Sequence, residues 1–93
     1  MFEKFDWLLD RYQELSEALS QPDIIADQPK WQALLKEHAS LEPSVEAYRE
    51  YQQILREEAE AQEMLEVPEM EELAKSELNE LRERREQQEH KLK

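Results

Sequence analysis

Several residue types are missing from this chain of 93 residues, and each absence excludes a class of chemistry. The chain has no glycine, which excludes the glycine-rich loops that cradle phosphates in nucleotide-binding proteins. It has no cysteine, which excludes a disulfide framework, a thiol nucleophile and a cysteine-ligated zinc site. It also lacks any apolar run of about 20 residues, the length that a membrane-spanning helix needs.

The N-terminal segment gives no indication of export. It carries Glu3 and Asp6 and lacks the basic and then apolar profile of a secretory signal. We therefore expect a soluble chain that is located in the cytoplasm and makes no contact with a membrane.

Residues that favour β-strands are also scarce, since only five residues are β-branched. The strong helix formers Leu, Ala, Glu, Gln, Lys, Arg and Met supply 65 of the 93 residues. A chain of this length makes at most one domain. The composition therefore predicts an all-α fold in which residues 1–93 form a single helical domain.

Proline and apolar periodicity divide the chain into three predicted helices. The first covers about residues 2–20, the second about residues 28–65 and the third about residues 68–93. An irregular connection is expected between the first two helices. Pro43 falls inside the second helix, and an internal proline removes a backbone hydrogen bond, so a kink or a break is expected at residues 40–43.

Apolar residues recur at steps of three and four along each helix, which places them on one face. On the second helix this stripe comprises Trp31, Leu34, Leu35, His38, Leu41, Val45, Tyr48, Gln52, Leu55, Ala59 and Gln62. On the third helix it comprises Met70, Leu73, Ala74, Leu78, Leu81 and Leu92, with Arg85 and Gln88 in between. The second helix is the expected spine, with the first helix antiparallel to its first part and the third antiparallel to its second part. The expected architecture is an elongated, coiled-coil-like antiparallel three-helix bundle.

The sequence contains no recognisable catalytic or metal-binding motif. His38 and His90 are the only histidines, and neither follows a glutamate at the spacing used by helical di-iron sites. The His-Glu-x-x-His pattern of zinc proteases is also missing. His38 is expected to be packed or hydrogen-bonded within the bundle. We expect no enzymatic activity, no metal and no cofactor.

The charge balance is strongly acidic, with 24 acidic and 12 basic side chains and a net charge of -12. A phosphate-binding surface needs clustered Lys and Arg. The nearest approach to a cluster is Arg82, Arg84 and Arg85, but glutamates are interleaved with them. Direct binding to nucleic acid is therefore not expected, and the acidity suits either a basic partner or solubility alone.

The densest run of carboxylates consists of Glu57, Glu58, Glu60 and Glu63. A solvated helix face explains such a run without any ligand, and a calcium site would need glycine turns or converging ligands. In the alternative interpretation, these four carboxylates contact a partner.

Three large apolar residues fall outside the predicted stripes, namely Trp7, Tyr51 and Ile54. An exposed tryptophan is unusual enough to indicate a contact surface. Tyr51 and Ile54 lie one turn apart, so they are predicted to form a small exposed apolar patch. The alternative for Trp7 is that it covers the end of the bundle.

Five short stretches, in this order and at these spacings, resemble the N-terminal helical domain of bacterial class I peptide chain release factors. They are RYQELS at 11–16, DQPKW at 27–31, KEHASLEP at 36–43, VEAYREY at 45–51 and PEMEELA at 68–74. The resemblance covers essentially the whole chain and is closer to the branch that reads UAA and UAG. This family usually has Asp before the last of these stretches, whereas Val67 stands there and removes a side-chain N-cap worth ~1 kcal/mol.

The resemblance implies that the chain is a fragment of a factor that terminates translation at UAA and UAG codons. Members of the family continue into an α/β region that carries a codon-reading loop and a Gly-Gly-Gln loop for peptidyl-tRNA hydrolysis. No residue of this chain matches either motif, so no catalytic residue carries over. In the family this domain lies near the base of the large-subunit stalk and is implicated in the response to the class II release factor, a GTPase. The resemblance therefore implies docking at the stalk base of the ribosome and interplay with the class II factor.

A second interpretation, from composition alone, is a free-standing acidic helical adaptor or a coiled-coil module that associates with itself. A thin apolar seam is consistent with such self-association.

Overall fold

The computed structural model describes residues 2–93, and these residues form four α-helices. α1 spans Glu3–Ala18, α2 spans Pro22–Ala26 and α3 spans Gln28–Met64. A single 3-10 turn, Pro68–Met70, leads into α4, Glu71–Leu92. No strand occurs among residues 2–93, which confirms the predicted all-α class with a long middle helix.

The connection between the first two predicted helices is not irregular, because α2 occupies most of it. Gln21 adopts an extended conformation, and Pro22 then supplies the first helical residue, a position where its missing N–H is not needed. The prediction of an irregular connection is therefore wrong for Pro22–Ala26, which are helical.

Pro43 lies inside α3, and the helix continues on both sides of it. Of the two expected alternatives, the break is therefore wrong. The joint after α3 matches the sequence analysis more closely. Val67 precedes the 3-10 turn in an extended conformation and makes no side-chain cap hydrogen bond, as expected where valine replaces a capping residue.

The chain divides into two compact units, the first ending at Glu46 and the second covering Ala47–Lys93. In unit 1, α1 runs antiparallel to the first part of α3. Trp31 donates its indole N–H to the carbonyl oxygen of Leu19 over 3.1 Å, and Arg11 pairs with Glu37 further along. Phe5 and Leu15 are buried on α1.

His38 takes part in the packing of unit 1, as predicted. Its ring stacks on the ring of Tyr12, with centroids 4.2 Å apart and an interplanar angle of 18°. Its Nε2 atom lies 2.9 Å from Ser16 Oγ, within hydrogen-bond distance. The imidazole is therefore held between two side chains of α1.

In unit 2, the second part of α3 and α4 form an antiparallel helical hairpin. The buried residues of α4 are Ala74, Leu81, Gln88 and Leu92, all on the stripe that the sequence predicts. Leu73 was predicted on the same stripe but is 54% exposed, so the prediction is wrong for this residue. On α3, Ile54 and Ala61 pack against Leu81, and Leu78 lies against the same cluster.

The α3 side of this hairpin uses a different stripe from the predicted one. The buried positions are Tyr51, Ile54 and Ala61, whereas Leu55 is exposed. The predicted stripe took a step of four residues after Tyr48, and the observed one takes a step of three. The step of three buries two large side chains, one aromatic and one aliphatic, where the step of four would bury Gln52 and Leu55. No helix in the described part of the chain is both long and apolar enough to span a bilayer.

Candidate partner-contact surfaces

Trp7 lies on α1 in unit 1, and its side chain is 65% exposed. The indole therefore covers little of the protein, and the interpretation in which Trp7 closes the end of the bundle is not favoured. Indole rings are enriched at the energetic centres of protein interfaces. The exposure agrees with the sequence analysis, while a partner contact at Trp7 stays a prediction.

Tyr51 and Ile54 do not form an exposed patch, so this prediction is wrong. Tyr51 is 9% exposed and Ile54 is 2% exposed, because both lie on the buried stripe of α3 in unit 2. The hydroxyl of Tyr51 donates to Glu89 Oε2 over 3.0 Å. Burial raises the pKa of Tyr51, and the hydrogen bond to Glu89 raises that pKa further.

Glu58 belongs to the hairpin rather than to a solvated face. Arg85 Nε lies 2.8 Å from one oxygen of Glu58 and 3.1 Å from the other. Arg85 Nη1 also lies 3.5 Å from Glu89 Oε2, so the guanidinium bridges two carboxylates. The bond to Glu58 raises the pKa of Arg85. Glu58 and Arg85 are mostly buried and hold α3 to α4.

Glu57 and Glu60 line an open cleft between α3 and α4 in unit 2, of about 310 Å³. Glu77 and Glu80 of α4 face them across the cleft. These two residues of α4 were not among the predicted contact residues. In the hairpin, residues 77 and 80 follow residues 68–69 at the same distances at which residues 60 and 57 precede them, so each faces one of the two glutamates of α3.

The base of this cleft is apolar, formed by Ala61, Met64 and Leu81. Arg84 is the one cation among its lining residues, and its Nη1 atom lies 3.5 Å from Glu57 Oε2. That carboxylate oxygen is buried and accepts no hydrogen bond from the described residues. We call this feature the acidic cleft: four carboxylates and one guanidinium above an apolar base.

Glu63 is exposed and does not line the acidic cleft. Of the four predicted glutamates, the structure therefore brings only Glu57 and Glu60 to one surface. Four carboxylates beside an apolar base attract a cation that carries an aliphatic stem, such as a lysine or arginine side chain. Among residues 2–93, no three His, Cys, Asp or Glu side chains are arranged to hold a metal ion.

Comparison with known proteins defines the class. The PCRF domain model matches residues 8–93, so the chain belongs to the PCRF domain family. The curated relatives that it matches include several proteins named peptide chain release factor 1. The resemblance to bacterial release factors found in the sequence is therefore confirmed.

Three of these relatives show the extent of the similarity. The chain is 46% identical over 64 residues to the protein of Carboxydothermus hydrogenoformans and 47% identical over 64 residues to that of Clostridioides difficile. Both alignments cover 69% of this chain and 18% of the relative. The protein of Alkaliphilus oremlandii is 51% identical over 51 residues, which is 55% of this chain and 14% of the relative. The aligned region therefore spans less than a fifth of each of these relatives, and no solved structure matches the chain.

Proposed function

We propose that this chain is the N-terminal domain of a peptide chain release factor and acts in translation termination at UAA and UAG codons in the cytoplasm. Membership of the PCRF domain family, together with relatives named peptide chain release factor 1, supports this function. We assign the chain no catalytic step. Its part in termination is contact with the ribosome.

The acidic cleft of unit 2 is the observation that carries the mode of contact. Glu57, Glu60, Glu77 and Glu80 converge on it from two helices. Convergent carboxylates attract basic side chains, speed association and make binding sensitive to salt. We infer that the cleft receives lysine or arginine side chains of the protein at the base of the large-subunit stalk. The four carboxylates keep nucleic acid phosphates away from this surface.

Trp7 on unit 1 is a second proposed contact, independent of the acidic cleft. An exposed indole that becomes buried in an interface contributes through its large apolar area. We expect Trp7→Ala to weaken ribosome binding while the helix content stays unchanged. The class II release factor, a GTPase, is the proposed second partner. The Trp7→Ala variant also tests whether this GTPase responds to the domain.

The experiment that tests the proposed contact measures binding of the 93-residue chain to the purified stalk-base protein at several salt concentrations. The test variant changes the four cleft glutamates (57, 60, 77 and 80) to glutamine. The matched control changes four exposed glutamates outside the cleft (69, 72, 83 and 86) to glutamine. Both variants remove four negative charges, so they differ only in where those charges lie.

We expect the cleft variant to bind more weakly and with a shallower salt dependence than the control variant. An equal loss in both variants would show that only net charge matters. Unchanged binding of the cleft variant at low salt would reject the cleft as the contact surface. Binding of the parent chain to ribosomes that lack the stalk-base protein would reject the partner and leave the family function in place.

A further inference from the structure

A second stripe of uncharged residues lies on α3 in unit 2, outside the hairpin with α4. It comprises Gln52, Leu55, Ala59 and Gln62, at steps of three, four and three residues. Leu55 is 41% exposed, Ala59 and Gln62 are exposed and Gln52 is half-buried. These steps are those of a coiled-coil seam. We call this surface the outer stripe, and α4 leaves it uncovered.

Two charged residues beside the outer stripe, Arg56 and Glu63, lack partners of opposite charge among residues 2–93. Both contacts of the Arg56 guanidinium go to the amide oxygen of Gln53, at 2.7 and 3.2 Å. Within residues 2–93 it pairs with no carboxylate, although acidic side chains outnumber basic ones by two to one. Glu63 likewise has no cationic partner in the part of the chain that the structure describes. The cation lies towards the start of the stripe and the anion towards its end.

We propose that the outer stripe is an interface on which a second copy of this chain packs antiparallel, about a two-fold axis near residue 57. In this arrangement Leu55 of one copy lies against Ala59 of the other, so a large side chain meets a small one. Gln52 lies against Gln62, where two amide groups can exchange hydrogen bonds. Each of these contacts occurs twice, with the two copies exchanged, as a two-fold interface requires.

The charges select the antiparallel orientation. It places Arg56 of each copy beside Glu63 of the other, at neighbouring flanking positions of a coiled coil. In a parallel coiled coil, flanking residues five positions apart meet instead, so Arg56 would lie beside Tyr51 and Glu63 beside Glu58 of the other copy. The second of these contacts joins two like charges, which is unfavourable.

The stripe has the size of a weak interface. It covers 11 residues of helix, roughly 16 Å at 1.5 Å per residue. Stable complexes bury about 1,200–2,000 Å² in total, more than a stripe of this length provides. The dimer therefore forms at high concentration and exchanges rapidly with the monomer.

Sedimentation equilibrium across a range of concentrations tests the dimer. We expect the mass to rise from the 11.3 kDa of the monomer towards twice that value. Leu55→Glu buries an unpaired carboxylate in the interface and weakens association about tenfold or more. The matched control is Leu73→Glu, at an exposed leucine of α4 outside the outer stripe. A parent chain that stays monomeric at the highest concentration, or equal dimerisation of both variants, would overturn the proposal.

Charge reversal tests the pairing between copies. Arg56→Glu alone and Glu63→Arg alone each create a like-charge contact with the second copy, so each weakens the dimer. The double variant restores an opposite-charge pair and is expected to recover dimerisation. The two residues lie seven apart on one helix, roughly 10 Å, so their coupling within one chain is weak. Additive losses in the double variant would contradict the pairing.

Single cysteines test the orientation, because the chain has no cysteine of its own. Under mild oxidation, a mixture of Gln52→Cys and Gln62→Cys chains is expected to yield mainly the mixed disulfide. An excess of disulfides between identical chains would show a parallel arrangement and reject the antiparallel one. Circular dichroism of each variant separates a loss of the interface from a loss of the fold.

Discussion

Arg11 and Glu37 join α1 to α3 within unit 1 through two parallel hydrogen bonds, each 2.8 Å long. Arg11 Nε donates to Glu37 Oε2, and Arg11 Nη2 donates to Glu37 Oε1. Paired bonds of this kind fix the relative position of the two helices, because both donors and both acceptors lie in one plane. The bonds to Arg11 hold the pKa of Glu37 below its usual value of 4.5.

Acid is expected to weaken unit 1 through this pair. A carboxyl whose pKa is lowered in the folded state contributes stability above its unfolded pKa. That contribution is lost as the pH falls through the folded pKa, which lies below 4.5. Glu37→Gln should therefore lower the free energy of unfolding near neutral pH and flatten its decline in acid. Urea unfolding followed by circular dichroism at several pH values measures both effects.

Glu42→Gln is the control for this prediction. Glu42 lies on the same helix, is exposed and has no ion pair among the described residues. The Glu42→Gln substitution removes one negative charge from unit 1, as Glu37→Gln does, but leaves the Arg11 pair intact. Equal acid sensitivity of the two variants would contradict the role of the Arg11 pair.

A pair of neighbouring truncations distinguishes the two possible stripes on α3. Ile54 is 2% exposed and packs against Leu81, whereas Leu55 is 41% exposed. Ile54→Ala should lower the free energy of unfolding by about 2–5 kcal/mol, because it leaves a cavity between α3 and α4. Leu55→Ala should cost less than about 1 kcal/mol. Denaturant unfolding at low protein concentration compares the two, and the reverse order would restore the stripe predicted from the sequence.

Tyr51 should make the hairpin of unit 2 sensitive to alkali. Burial and the hydrogen bond to Glu89 raise its pKa above 10.0 in the folded state. The unfolded chain therefore loses the tyrosine proton first, and stability falls as the pH rises from about 10 through the folded pKa. Tyr51→Phe should remove this alkaline decline. At neutral pH the same variant should cost about 0.5–1.5 kcal/mol for the lost hydrogen bond.

Glu89→Gln separates the two causes of this pKa shift. It keeps an acceptor for the Tyr51 hydroxyl but removes the negative charge. The alkaline decline should then become smaller and persist, since burial is the larger cause. Spectroscopic titration of tyrosine absorbance measures the shift directly. A decline that is unchanged in Tyr51→Phe would assign the sensitivity to another group.

The α4 side of the hairpin could be predicted from the sequence except at Leu73, which is exposed beside the buried Ala74. Its buried positions 74, 81, 88 and 92 all lie on one series of steps of three and four residues. Even the buried Gln88 lies on this series, and its amide donates to the carbonyl oxygen of Ala47 over 2.8 Å.

The α3 side could not be predicted in the same way, because two apolar stripes run side by side along that helix. One passes through Tyr51 and Ile54, and the other passes through Leu55 and Ala59. Periodicity allows a step of three or four residues after Tyr48, and only the partner helix decides between them. The buried stripe also includes Glu58. A charged residue is not expected in an apolar seam, and Glu58 is accommodated there because Arg85 of α4 pairs with it.

The acidic cleft lay beyond the sequence analysis for a related reason. Glu57 and Glu60 were recognised as part of a dense run, while Glu77 and Glu80 belong to a separate stretch. Their convergence depends on the register of the hairpin, which the turn after α3 determines. The 3-10 turn Pro68–Met70 moves the centre of the hairpin to residues 68–69, and only this register brings the four carboxylates together.

Pro43 should limit the stability of α3. It lies inside the helix and has no N–H, so the carbonyl of Ala39 loses the hydrogen bond that a continuous helix would provide. Pro43→Ala restores the backbone N–H donor, which stabilises the helix by about 3 kcal/mol. The same substitution makes the unfolded chain more flexible, which lowers the stability by about 1 kcal/mol. The free energy of unfolding should therefore rise by about 2 kcal/mol.

Denaturant unfolding and amide hydrogen exchange over residues 39–47 measure the effect of Pro43→Ala. The neighbouring Ser44→Ala substitution is the control, because it changes helix propensity by only a few tenths of a kcal/mol and adds no backbone donor. If amide exchange becomes slower in Pro43→Ala but not in Ser44→Ala, the gain in stability comes from the restored hydrogen bond. A loss of stability in Pro43→Ala would instead mean that the packing of α3 requires the backbone geometry that proline imposes, and the proline would then be a structural requirement of the fold.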